Sequence, residues 1–204
     1  MDYSVVTGWR AFLQELSVVI IESDEFDLPG DVIEAGWLGF EPAPENLLAA
    51  TELRLGARLP PSLRSFYEVS NGWRQFGCFI WELLPLERLN WLREAEPWLF
   101  EDALKVESHP GPFKKDPDGK RLAEFRFEDG TRVERSLVVT SMGDDALWML
   151  DPGTVTGSGE WAGGRWANWD PGMNWCAESF ADLVRDEFAF FKTRANSGTG
   201  PPQR

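Results

Sequence analysis

Histidine is nearly missing: His109 is the only one in 204 residues. A histidine triad or multi-histidine metal site would need partners that this chain supplies only as carboxylates. His109 itself lies in "HPGPFKKDPDGK" (109–120), a Pro- and Gly-rich loop, and reads as a solvated loop residue. Cysteine is scarce as well. Cys78 and Cys176 stand alone and far apart, which predicts two reduced, buried thiols rather than a disulfide. No apolar run approaches the roughly 18 residues of a membrane helix; "LSVVII" (16–21) is far too short and follows no basic segment. The chain is therefore expected to be soluble, unexported and cytoplasmic. No G-x-G-x-x-G, Walker, G-x-S-x-G or H-E-x-x-H element occurs. "DPDG" (116–119) fails as a calcium loop, because aligning Gly119 at the sixth position puts Lys114 first and Phe125 twelfth. No cofactor and no metal are expected.

Positive charge is also in short supply. Lys and Arg total 20 against 34 acids, a formal net charge of −14. Residues 1–110 hold 19 acids and 8 bases, and six acids fall between Glu22 and Glu34 without a base among them. A direct nucleic-acid binder needs the opposite sign to release phosphate counterions. An anionic membrane would repel such a surface too. A basic protein partner is what this field would steer inward, unless the acidity serves solubility alone.

What is present is enough for a core. Hydrophobic residues make up 43% of the chain, and its length fits one domain. The stretch "TELRLGARLPPSLRSFYEVSNGW" (51–73) reads as a helix opened at Pro44 and capped at Gly56, then a second helix from Pro61. Leu63, Phe66 and Tyr67 form one buried face there, Asn71-Gly72 ends the helix, and Trp73 follows as a large anchor. Before it, residues 4 to 21 place Trp9, Phe12, Leu13, Leu16 and Ile20 on one helical face. "CFIWELLP" (78–85) suggests a strand, and 86–98 a helix. "RLAEFRF", Asp129-Gly130 and "TRVERSLVVT" suggest a hairpin. "ALWML" follows as another strand, and "GEWAGGRWANWDPG" is a strand pair or one long loop. The last helix begins near Ser179, an N-cap with Asp182 three residues on. Residues 1–192 are thus expected to form a single α+β domain: N-terminal helices against a mainly antiparallel sheet, closed by a C-terminal helix. Residues 193–204 are expected to be a disordered tail.

Two groups of residues are candidates for a site. Eleven tryptophans are several times ordinary usage, and Trp161, Trp166, Trp169 and Trp175 crowd into fifteen residues. Trp9, Trp81 and Trp148 fit core-facing periodicity, whereas the cluster is interrupted by Gly163, Gly164 and Pro171. Tryptophan suits binding hot spots, because it carries large apolar area with a polar handle. Asp144, Asp145, Asp151, Glu160 and Asp170 fall in turns of the sheet region, where they serve as turn formers, solvated charges or acid–base pairs. Exposed rings beside Asp144, Asp145, Asp151 and Glu160 would make an acidic aromatic patch of Trp161, Trp166 and Trp169, flanked by Trp73. Buried rings would instead plug the end of the sheet.

The order and spacing of Glu52, Leu55-Gly56, Leu59-Pro60, Phe66 and Asn71-Gly72 resemble the SUKH superfamily. "ALWMLDPG" (146–153) is similar to that family's later strand ending in Leu-Asp-Pro, and "ESFADLVRDEFAFF" (178–191) to its closing helix. The resemblance runs roughly from Trp9 to Phe191, and residues 94–120 depart from it. It implies an α+β protein-interaction module without catalytic activity. Bacterial members resemble immunity proteins that neutralise toxin domains, often nucleases, and fungal ones regulate cell-wall synthesis. A protein partner, in particular a basic toxin domain, is the expectation that follows. The alternatives are a general scaffold of the same fold, or a carbohydrate-active hydrolase using the carboxylates and tryptophans.

Overall fold

A computed structural model describes residues 6–101, 130–144, 146–167 and 170–196. Helix α1 (Val6–Ser23) buries Trp9, Phe12, Leu13, Leu16 and Ile20 along one face, as their spacing predicts. The indole N–H of Trp9 donates to the Ser62 carbonyl at 2.9 Å and to Ser65 Oγ at 3.0 Å, so burial leaves no unpaired donor there. The acidic segment supplies a short helix, α2 (Gly30–Ala35), closed by Gly36 in the left-handed region.

Helices α3 (Glu45–Leu55) and α4 (Pro61–Tyr67) follow the punctuation in the sequence. Gly56 has φ 68°, Pro60 is extended, and Pro61 is the first residue of α4. The turn between them is held by Glu52, whose Oε1 accepts the Leu59 N–H at 3.0 Å. Helix α4 stops at Tyr67, earlier than Asn71-Gly72 suggests. Those two residues have another task. Asn71 Oδ1 accepts the Leu86 N–H at 2.9 Å, and Gly72 takes φ 102° with the Leu83 carbonyl 3.0 Å from where a Cβ would stand.

Residues 78–85 form no regular strand; they cross the core as isolated bridges from Leu83 to Trp73 and Thr140. Trp81 there is 43% exposed, contrary to its core-facing spacing. The helix expected over 86–98 is broken into a 3-10 turn (Leu86–Arg88), strand β1 (Asn90–Trp91), helix α5 (Leu92–Ala95) and a further helical segment at 97–101. The hairpin return is also shorter than expected. Gly130–Glu134 form a helical turn, α6, and only Leu137–Val138 pair as β2. Asp129 and "RLAEFRF" lie outside the described residues, as do His109 and the rest of 102–129.

Strands β3 (Ala146–Val155), β4 (Trp161–Ala167) and β5 (Asp170–Ala177) complete a five-stranded antiparallel sheet in sequential order. The Trp/Gly segment is thus a strand pair. Helix α7 (Phe180–Asn196) lies on β4 and β5 and meets α1 and α4. Ser179 caps it, accepting the Asp182 N–H at 3.1 Å. The fold is α+β, helices against an antiparallel sheet closed by a C-terminal helix. Cys78 and Cys176 are free thiols, one half-buried and the other exposed, so neither is the core thiol expected. No helix among the described residues is long and apolar enough to cross a membrane.

Candidate functional site

Among the described residues, Trp73, Trp161, Trp166 and Asp151 of the expected acidic aromatic patch are buried. Asp145 and Trp169 lie outside the described residues. Trp73 is fully buried, edge-on to Trp37 with centroids 5.0 Å apart, so it offers nothing to a partner. Trp161 and Trp166 are buried too. Trp161 stacks on Trp91 at 6.4 Å, and Trp166 meets Trp98 edge-on at 5.6 Å. A strand glycine makes room for the fourth ring of the cluster, Trp175, on the neighbouring strand. A Cβ on Gly164 would stand 2.6 Å from the Trp175 ring.

The carboxylates are tied down in the same way. Asp151 is fully buried beneath two guanidinium groups, with Arg132 Nε at 2.7 Å and Arg135 Nε at 2.5 Å. The Gly153 N–H and Thr154 hydroxyl also donate to it, at 2.8 and 2.7 Å. Burial alone would raise its pKa, but these donors outweigh burial and bring it down to about 2. Glu160 accepts the N–H and hydroxyl of Ser62, and burial pushes its carboxyl up against those two donors. Of the acids named from sequence, Asp144 is exposed.

A different constellation sits on the sheet face beneath α7. Trp148, Arg165 and Asn174 are register partners across β3, β4 and β5. With Cys176 they floor a cavity of about 260 Å³. Helix α7 roofs it with Glu187 and Phe190, and Phe79 closes one end. Phe79 and Phe190 face each other with centroids 6.3 Å apart, and Phe190 is 47% exposed. The Asp144 N–H donates to the Phe79 carbonyl at 3.3 Å, which brings that turn to the rim.

Glu187 is the unusual member. It is 4% exposed, and its Oε1 has no hydrogen-bond partner among the described residues. Its Oε2 lies 3.9 Å from the Arg165 guanidinium, beyond hydrogen-bonding length. Burial pushes its carboxyl up, and Arg165 pulls it only partly back. Sequence reasoning passed over this residue, although a signal was there. Leu183, Val184, Glu187, Phe188 and Phe191 follow helical spacing, so Glu187 is a charge on an apolar stripe. Among the described residues, no three His, Cys, Asp or Glu side chains group as a metal site.

Comparison with known families matches residues 42–186, more than half of the chain, to the SMI1 / KNR4 family (SUKH-1). The chain belongs to that family. A comparison with curated proteins finds no match. In this SUKH-1 chain the signature positions serve architecture: Glu52 pins a turn, Asn71 ties α4 to the chain at Leu86, and Phe66 fills the core. Membership points to an immunity-type or regulatory role and to a protein partner.

Proposed function

We propose that this SUKH-1 chain is a non-catalytic protein-binding domain of immunity type, which neutralises a cognate toxin domain by occluding it. The observation that carries this reading is the groove under α7, where the buried Glu187 carboxylate, with no hydrogen-bond donor at Oε1 among the described residues, lines a cavity in a chain of net charge −14. A basic protein surface complements such a site, and long-range attraction speeds the encounter. Toxin domains that cleave nucleic acid carry basic clefts for their polyanionic substrate, so an acidic blocker competes for that cleft. Asp151 and Glu160 are engaged in structural contacts, and Trp161 and Trp166 are buried, which weighs against the glycan-hydrolysing alternative. The meeting place in this reading is the cytoplasm.

The test is protection. A toxin-like reading frame directly beside this gene would be expressed with and without this chain in a sensitive host. Restored growth and a co-purifying complex are expected. Growth arrest unaffected by this chain would overturn the toxin assignment and leave a regulatory module of the same fold.

A further inference from the structure

The groove under α7 has features of a socket for one side chain. Its volume of about 260 Å³ lies below the range of about 300–1,000 Å³ usual for small-molecule sites. One end is walled by the Phe79 and Phe190 rings, tilted at 32° to each other. Glu187 lines it, and its Oε1, packed toward Gly77, accepts no hydrogen bond among the described residues, although buried polar groups are almost always hydrogen-bonded. A buried carboxylate left without donors is costly, and such local departures from good packing collect where function needs them. Asp186 sits at the mouth, 65% exposed by its side chain, with Arg185 Nε 3.6 Å from its Oδ1. Arg165 is 40% exposed on a flexible stem, and its 3.9 Å contact leaves it able to turn outward.

We infer that this groove is a receptor for an arginine side chain of the partner protein, with Glu187 as its anion and the Phe79–Phe190 pair as its stacking wall. The inference rests on the protein-binding reading above and names what the partner must present. A guanidinium is planar, stacks on aromatic faces and offers several donors in a fixed fork, which an ammonium does not. Charge acts in the same direction at longer range, since the chain as a whole attracts basic surfaces. The larger cavity beside α4, about 530 Å³, lacks this character, because its Arg64 already pairs with Glu45, Glu52 and Glu68.

The probe is N-acetyl-arginine methylamide, titrated into the full chain and followed by NMR. Saturable shifts at Cys176, Arg165 and Phe190 are expected, with a dissociation constant on the order of 1 mM for so small a ligand. The lysine analogue should bind several-fold more weakly, and the neutral citrulline analogue should not saturate. Glu187→Gln should weaken binding at least about tenfold, as removal of a buried charge partner does. Cys176→Phe, which fills the groove from the edge strand and removes no charge, should abolish it, whereas the distant Asp31→Asn should change nothing. Amide spectra and melting curves establish that each variant is folded. No saturation by the arginine probe, or equal binding to Glu187→Gln or by citrulline, overturns the inference. Because the probe is a single amino acid, that failure is separate from the toxin reading, which stands or falls on protection.

Discussion

Glu160 and Ser62 are 98 residues apart in sequence and joined by two hydrogen bonds, the Ser62 N–H donating to Oε1 at 2.8 Å and its hydroxyl to Oε2 at 2.7 Å. The pair fastens the start of β4 to the first turn of α4. Ser62 Oγ also accepts from the Ala181 N–H at 3.4 Å, which brings the start of α7 into the same junction. Three parts of the fold therefore meet at one hydroxyl.

Glu160→Ala should cost about 1–3 kcal/mol, because it strands a buried N–H and a hydroxyl at that junction. Urea unfolding measures it as a lower midpoint at unchanged slope. A midpoint equal to the parent's would mean that the junction contributes nothing.

Asp151 predicts a pH signature. Its carboxyl is held at about 2 in the folded chain against 3.8 ordinarily. A depressed folded value gives stability that is complete above the unfolded value and lost as pH falls toward the folded one. Wild type should exceed Asp151→Asn by about 2 kcal/mol at pH 7, and the gap should close between roughly pH 4 and pH 2. A gap that persists undiminished at the acid end would assign the loss to packing rather than charge.

Phe66→Ala should cost about 3–5 kcal/mol through lost transfer energy and a cavity. The ring is fully buried and touches Trp9, Tyr67 and Phe180, at 5.5, 5.3 and 5.4 Å between centroids. A variant that melts like the parent would show that this is not the core of the helical layer.

Glu187→Gln should make the free protein more stable at neutral pH, by about 1–3 kcal/mol, since it removes a buried charge without hydrogen-bond donors at Oε1. Burial raises the folded pKa above the ordinary 4.5, so wild-type stability is fullest below that value and falls as pH rises through the folded one. Among the described residues, Arg165 on β4, Cys176 on β5, Cys78 on the facing segment and Asp186 on α7 are ionisable groups near it. Melting temperature against pH should show the variant's advantage widening upward from about pH 4.5. A variant less stable than wild type at pH 7 would mean that Arg165 more than offsets the burial.

Much of the fold was legible because local chemistry dictated it. Gly56 and Gly72 take positive φ where turns need it, Phe66 faces the core, and Ser179 caps α7. The broken segment at 86–98 was not legible, since its apolar residues fit a helix and only pairing of Asn90–Trp91 with β2 decides otherwise. The tryptophans misled for a related reason. Glycines between them suggest exposure locally, yet in the sheet Gly164 makes room for the Trp175 ring of the neighbouring strand and Gly163 for Leu183 of α7. Asp151 and Glu160 look like free turn carboxylates until Arg132, Arg135 and Ser62 arrive from distant segments. Glu187 was passed over although it is a charge on a helical apolar stripe, and its socket needs β3, β4 and β5 side by side.

The most direct measurement is calorimetric titration of this chain with the purified product of a toxin-like reading frame found beside its gene, across a series of salt concentrations. One-to-one binding that weakens steadily as salt rises is expected, with Glu187→Gln weaker than wild type by at least about tenfold while remaining fully folded. Absence of binding at low salt, or binding indifferent to both salt and Glu187, would contradict an acidic socket engaging a basic toxin.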